Sequence, residues 1–357
     1  MSIDRIGVAI VGCGNIANSY AKNIATYPEI RFIGCADVDP ERAAKLAGEY
    51  GVTAYSSVEA LLEDPTIDVV VNLTVHHAHK DVITQCLHAG KHVHSEKPLA
   101  LTTEDAQNLV ALAEQKGLRL GCSPFTWMGE AAQTAWKIIR EDQLGPMRLA
   151  YAEVNWGRIE SWHPAPGPFY DVGALFDVGV YPLTMLTTFF GPARRVTAFG
   201  TLLYPNRITK EGVPFEITTP DFVTATVELA NNTVVRLTTN FYVGHHSKQT
   251  GIEFHGDKGS LFLSSWQDFN AAVEVAVFGG AYAPVEYLQP PYQGTEWGLA
   301  VRDMAIAIRE DRPHRATGAQ AAHIVEILCA VKESYQTGRP VGITSHFTAP
   351  KPLEWAM

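Results

Sequence analysis

Between residues 6 and 122 the apolar positions switch repeatedly between two periods. Short, nearly uninterrupted apolar runs at Ile6–Gly12, Arg31–Ala36, Asp68–Leu73, Lys91–His94 and Leu118–Cys122 predict strands buried on both faces. Between them lie segments with helical spacing: Ile16–Ala25, Pro40–Tyr50, Lys80–Ala89 and Thr103–Lys116. Pro40 suits a first helical turn, and Gly90 and Gly117 stand where helices stop. Strands alternating with helices of this length predict βαβ units with right-handed crossovers, hence a doubly wound parallel sheet of Rossmann type over residues 1–122.

After Pro124 the pattern changes. A helix is expected over Met128–Arg140, a strand over Met147–Trp156, and then a loop, Glu160–Tyr170, rich in proline, glycine and aromatic residues. From Arg194 to Leu288 most segments alternate with period two, as in Val223–Leu229, Thr233–Thr239 and Gly259–Leu263, with Asn231-Asn232 and Asp257-Lys258-Gly259 as hairpin turns. Helices at Glu296–Arg309 and Gly318–Gln336 follow. Residues 123–357 are therefore expected to form an α+β domain with a large, open, mostly antiparallel sheet. A sheet covered by helices on one face leaves the other to bury, so a homodimer or homotetramer through this sheet is expected.

Composition narrows the function. The 357 residues are 46% hydrophobic and 18% charged, with a formal net charge of −10. An acidic chain without a long Lys/Arg run is a poor partner for nucleic acid or an anionic membrane. Five scattered cysteines, none in a Cys-x-x-Cys pair, argue against a disulfide framework or zinc ribbon and for a reducing compartment. The apolar run Val8–Val11 is too short for a signal or a membrane span, so a soluble, cytoplasmic protein is expected.

Where the first strand meets the first helix stands Gly12-Cys13-Gly14-Asn15-Ile16-Ala17, a G-x-G-x-x-A turn. Such glycines permit a tight turn and close approach of backbone to a pyrophosphate, which would sit on the free N–H groups of the helix start. Asp37 ends the second strand about 20 residues on, placed to accept both ribose hydroxyls. No arginine follows it, since Val38 and Asp39 do, so NAD is expected over NADP. A turn or helix-cap role for Asp37 before Pro40 is the alternative.

His94-Ser95-Glu96-Lys97-Pro98 follows a strand at the carboxyl edge of the sheet, where open α/β sheets bind ligands. Taken with Thr74-Val75-His76-His77-Ala78-His79, the longer run Gly90–Pro98 and Asp177-Val178-Gly179-Val180-Tyr181-Pro182, the chain resembles the Gfo/Idh/MocA oxidoreductase family. The resemblance runs through both domains in order. It implies Lys97 as catalytic lysine, with Asp177 and Tyr181 in the family's Asp and His positions, tyrosine serving as the acid. It implies cofactor contacts from Gly12, Gly14, Asn15, Ile16, Asp37, Thr74, His76, His79, Glu96 and Lys97, with His79 lining the pocket. Val75 for proline and His76 for asparagine depart from the family pattern. So does Phe125-Thr126-Trp127, where the family often has an Arg-Phe pair.

Removing hydride from a carbinol leaves a proton that a positioned base must take. Free tyrosine, with a pKa of about 10, is a poor base near neutrality, and a neighbouring ammonium favours its phenolate. Asp177 and Tyr181 would share a face on a continuous helix, although Pro182 belongs in a first turn or at a kink. His76, His77, His79, His92 and His94 look like a metal cluster but lack a convergent third ligand, and no metal is expected. Trp127, Arg158, Trp162 and His163 are candidates for stacking on, or bonding to, a substrate. The sequence thus points to an NAD(P)-dependent oxidoreductase acting on a hydroxyl or carbonyl of a sugar, cyclitol or related polyol. A catalytically inactive nucleotide-sensing regulator of the same fold, or a dehydrogenase of a dihydrodiol or other non-sugar carbonyl, are the competing readings.

Overall fold

The computed structural model describes residues 5–244 and 246–357. They form two compact units: the chain up to Phe125 joined by Glu296–Val325, and Thr126–Thr295 joined by Glu326–Met357.

The first unit carries β1 (Ile6–Val11), α1 (Ala17–Ile24), β2 (Ile30–Ala36), α2 (Pro40–Tyr50), β3 (Thr53–Ala54), α3 (Val58–Leu62), β4 (Val69–Asn72), α4 (His79–His88), β5 (His92–Ser95), α5 (Thr103–Gln115) and β6 (Leu120–Cys122). Its sheet has the order β3-β2-β1-β4-β5-β6, and every pairing is parallel. This is the doubly wound arrangement that the alternation predicts, with the order reversing between β1 and β4. Val8, Ala9, Ile10 and Val69–Val71 are fully buried, as central strands covered on both faces must be. Helix starts follow local chemistry. Asp39 and Thr102 accept N–H groups of the first turns of α2 and α5, and Pro40 occupies the first position of α2.

Residues 296–325 return to this unit, whereas the sequence pattern places everything after 122 in the second. Tyr27 Oη donates to Glu296, Gly298 N–H to Asn23, and the Arg302 guanidinium pairs with Glu29 at 2.9 Å. Such contacts span about 270 positions and leave no periodic trace in the chain.

The second unit contains α6 (Glu130–Arg140), β7 (Met147–Asn155), α7 (Gly167–Asp177), α8 (Val180–Phe190), β8 (Ala193–Thr201), β9 (Asn206–Ile208), β10 (Pro214–Glu216), β11 (Phe222–Leu229), β12 (Val234–Asn240), β13 (Gly251–Gly256), β14 (Gly259–Leu263), β15 (Val273–Val277) and β16 (Ala283–Pro284). Later elements are α9 (Leu299–Arg309), in the first unit, α10 (Gly318–Thr337), whose residues up to Val325 belong to the first unit and the rest to the second, and β17 (Val341–Gly342), in the second. Nine strands make one sheet, in the order β16-β15-β14-β13-β7-β12-β11-β8-β17. All pairs are antiparallel except β12 with β7. The hairpin at Asn231-Asn232 forms as expected, with Asn232 at φ 71°, a conformation asparagine tolerates.

Helices α6 to α8 bury one face of this sheet, and β11 alternates accordingly, with Val223, Ala225, Val227 and Leu229 inward. The stretch Gly167–Phe190 is long and apolar enough to cross a membrane, but 89% of its most apolar window is buried, as a core helix would be. The opposite sheet face carries Arg236 stacked on Tyr151 at 4.1 Å and paired with Glu153, together with exposed Phe199 and Leu149.

Candidate active site

In the first unit the turn after β1 is shaped by Gly12. Its φ is +94°, and a Cβ there would lie 2.7 Å from the Leu73 carbonyl and 2.8 Å from the Thr74 nitrogen. Only glycine lets this turn pass so close to the chain leaving β4. A Cβ on Gly14 would meet nothing within 4 Å, so space opens above the turn. Helix α1 begins at Ala17 behind Ile16 without a side-chain cap. Asp37 is held across this turn. One carboxylate oxygen accepts the Cys13 N–H at 2.6 Å and the other the Asp39 N–H at 2.8 Å. Remaining lone pairs on the same carboxylate are free for ribose hydroxyls. Val38 beside it is fully exposed, and Asp39 caps α2. An open, glycine-walled turn, a helix start without a side-chain cap and a fixed carboxylate fit a dinucleotide.

The loops after β4 and β5 complete this edge. Asn72, fully buried, accepts both the N–H and the hydroxyl of Thr74 and donates to Ser95. Lys97 lies half-buried two residues beyond β5. Glu96 before it turns inward: one oxygen takes the Tyr20 hydroxyl at 2.5 Å and the other the Lys97 N–H at 3.3 Å. Tyr20 also bonds Ser123 at 2.8 Å.

The histidines are not equivalent. His79 is expected to line the pocket, but it is fully buried, and its ring nitrogens lie 2.7 Å from the Pro98 carbonyl and 3.0 Å from that of Thr74. With both nitrogens taken by backbone it has nothing left for a bound molecule, which corrects the expectation of a cofactor contact. His76, half-buried with its ring edge-on to His79 at 6.0 Å, stays on this loop. His92 accepts the Arg119 N–H, and His94, fully buried and with its pKa lowered to about 3 by that burial, meets Ser123.

Sequence reasoning missed Tyr20 and Lys91. The Lys91 ammonium is inserted between the carbonyls of Asp64 and Ile67, each at 2.8 Å, which gives the Gly-Lys pair before β5 a structural purpose. Tyr20 belongs to the ordinary buried face of α1 with Ala17, Ala21 and Ile24, so nothing in the pattern marks its hydroxyl.

In the second unit Asp177 and Tyr181 stand on either side of a helix break. Helix α7 is interrupted at Gly173, ends at Asp177, and α8 restarts at Val180. The two residues are therefore not on one continuous helical face, and Pro182 sits in the first turn of α8, where its missing N–H costs nothing. Gly179 allows the break: a Cβ there would lie 2.6 Å from the Leu175 carbonyl and 3.1 Å from Thr239. Both Asp177 and Tyr181 are buried, at 2% and 6% exposure.

An aromatic series runs from Tyr181. Its ring meets Trp266 at 5.0 Å, Trp266 meets Trp156 at 5.4 Å, and Trp156 meets Trp162 at 6.5 Å. Trp162 continues to His163 and Phe169. Trp266 sits on a loop after β14, anchored where Thr126 donates to its carbonyl, and no sequence signal distinguished it. Trp127 is 1% exposed and edge-on to Trp136, its indole N–H without a partner among the described residues. His163 accepts the Ala165 N–H through Nδ1. Arg158 lies between the rings of Tyr204 and Tyr242, at 4.7 and 4.9 Å.

Behind the Glu160–Tyr170 loop the fully buried Arg207 pairs with Glu160 at 3.0 Å and Asp221 at 2.7 Å, and stacks on Tyr170. Burial and Glu160 push the Tyr170 hydroxyl well above the ordinary tyrosine value. The cluster ties β9 and the start of β11 to the loop that carries Trp162.

Comparison with known proteins agrees with this anatomy. Residues 6–123 match the family described as "Oxidoreductase family, NAD-binding Rossmann fold", and residues 132–262 match the GFO/IDH/MocA C-terminal domain. Among curated relatives, trans-1,2-dihydrobenzene-1,2-diol dehydrogenase of Mus musculus is 29% identical over 201 residues, 54% of this chain and 59% of that protein. The chain thus spans about three-fifths of that relative's length. dTDP-3,4-didehydro-2,6-dideoxy-alpha-D-glucose 3-reductase of Streptomyces antibioticus is 26% identical over 353 residues, 93% of this chain and 98% of that one. A levoglucosan dehydrogenase solved with NADH and L-sorbose shares the fold with a TM-score of 0.82 and 22% identity, covering 96% of this chain and 99% of the other. The chain belongs to the Gfo/Idh/MocA oxidoreductase family, with an NAD-binding Rossmann fold as its amino-terminal part.

Proposed function

We propose that the protein is a dehydrogenase or reductase that moves a hydride between NAD and a hydroxyl or carbonyl of a sugar, cyclitol or related polyol. The observation that carries this reading is the pairing of a carboxylate-locked glycine turn with the Lys97 loop along one sheet edge, in a chain that also keeps Asp177 and Tyr181. When bound, NAD takes up or returns the hydride. The chain's own tasks are binding, orientation and proton transfer. Asn15, Ile16 and the glycine turn offer N–H groups to the phosphates, Asp37 accepts the ribose hydroxyls, and Thr74, His76 and Glu96 border the nicotinamide side. Tyr181 holds or gives the proton at its phenolic oxygen, Lys97 supplies positive charge for the substrate oxygen, and Asp177 accepts a bond from a neighbouring hydroxyl.

The aromatic series from Tyr181 to Trp162 suits a ring-shaped substrate, and the unpartnered Trp127 indole N–H is a donor for one of its oxygens. A dihydrodiol is the second reading, favoured by the same aromatic surface and by the mouse relative's name. The open sheet face, with Phe199 and Leu149 exposed, suits a second copy of the chain, as a homodimer or homotetramer. All five cysteines are unbridged, which suits cytoplasmic residence.

The test is the absorbance of reduced nicotinamide on adding aldoses, inositols, dihydrodiols and their keto derivatives with NAD⁺ or NADP⁺. Turnover with a polyol and NAD⁺ is expected. NADH binding without turnover on any probe would favour the regulator reading instead. Asp37→Ala is expected to weaken NADH about tenfold, the value of one charge-assisted bond, while changing NADPH less, as fluorescence titration would show. An unchanged ratio of the two affinities would remove Asp37 from the ribose.

A further inference from the structure

We propose that His79 is a positioning residue: once its ring is protonated, it holds the loop after β4 and the loop that bears Lys97 in one arrangement by donating from both ring nitrogens to the carbonyls of Thr74 and Pro98. This rests on the reading of Lys97 given above. The geometry is specific. Nδ1 lies 2.7 Å from the Pro98 oxygen and Nε2 3.0 Å from the Thr74 oxygen, and the side chain is fully buried. Both partners are acceptors only, and a neutral imidazole has one donor and one acceptor, so it can satisfy only one of them. The ring bonds both only as an imidazolium.

Thr74 and Pro98 belong to the two loops that end neighbouring strands, and Pro98 follows Lys97 directly. A ring that pins both carbonyls therefore sets the distance between the nicotinamide-side loop and the backbone carrying the ammonium. Asn72 reinforces the clamp by binding Thr74 from below and donating to the carbonyl of His79 itself at 3.4 Å. The charges that bear on the ring are the Glu96 carboxylate, which favours the cation, and the Lys97 ammonium, which opposes it; the His76 ring stands edge-on. On its own helix Lys80 is neutralised by Asp105 at 2.6 Å. Burial holds the ring below the ordinary histidine pKa, with both carbonyls and Glu96 pulling the other way. At neutral pH the ring is therefore neutral and bonds one carbonyl, and the second bond forms only as pH falls through this lowered pKa, below that of free histidine.

The experiment is NADH titration of the full chain from neutral to mildly acidic pH, for the wild type, His79→Asn and Lys97→Met. The wild-type Kd is expected to tighten about tenfold, with an apparent pKa below that of free histidine, whereas His79→Asn binds more weakly and without that ionisation. Nitrogen NMR of the ¹⁵N-histidine-labelled wild type keeps the proposal falsifiable if the variant folds poorly. Two exchange-protected ring N–H signals from one histidine are expected at the acid end. A single ring N–H throughout, or an identical pH profile in His79→Asn, would overturn it. The Lys97 reading fails separately, by unaltered turnover in Lys97→Met, where loss of the ammonium is expected to move the His79 ionisation to higher pH.

Discussion

Lys97→Met is expected to lower kcat about 10³-fold while NADH binds as before, because methionine keeps the length of the side chain and removes its charge. The fixed surroundings of Lys97 make this interpretable. Glu96 is anchored by Tyr20 and by the Lys97 N–H, so the loop backbone should keep its course when only the ammonium is lost. Tyr181→Phe should cost a comparable factor, since it deletes only the phenolic oxygen proposed to carry the proton. If both residues serve one proton transfer, the double variant falls little further than either single one. Single-turnover kinetics with the substrate found in the screen would decide this. Turnover unaffected by Lys97→Met, or two strictly multiplicative losses, would take the shared role away.

Arg207→Met should destabilise the second unit by about 3–5 kcal/mol, the usual cost of removing one partner from a buried ion pair. The Arg207 side chain has no exposed surface, and its loss leaves the Glu160 and Asp221 carboxylates buried without a cation. Asp221 would still accept the N–H groups of Leu203 and Tyr204, so the variant is expected to fold, with a lower urea midpoint. Replacing Glu160, Asp221 and Arg207 together by apolar residues should recover much of the loss, because no charge is then stranded. A midpoint shift worth under about 1 kcal/mol would show the cluster to be solvated in practice. Since the cluster holds the loop of Trp162, KM should also rise for any substrate that stacks there.

Much of the first unit was legible because its information is local. Continuous apolar runs, Pro40 at a helix start and Gly12-x-Gly14 after a strand each describe a few adjacent residues, and each forms as read. The second unit was legible in its alternation and hairpins but not in the parallel pairing of β12 with β7, which depends on the path between strands some 80 positions apart. Asp177 and Tyr181 were legible as a motif only. Their four-residue spacing suggests a shared helical face, and the chain leaves helical geometry at Val178 between them.

By itself, then, the sequence determined the class of this protein: a parallel nucleotide-binding sheet, an open second sheet, a glycine turn after the first strand, and Lys97, Asp177 and Tyr181 in family order. These follow from periodicity and short motifs, where neighbours in the chain are neighbours in space. Only the tertiary structure decided that His79 faces two carbonyls and not a ligand, that Tyr20 and Lys91 brace the loops around β5, that Trp266 and Trp156 extend from Tyr181, and that Arg207 is buried between two carboxylates. The reason is physical. Each depends on which donor meets which acceptor across tens to hundreds of residues, and a histidine, arginine or tryptophan carries the same letter whether it is spent inside the protein or offered to a substrate.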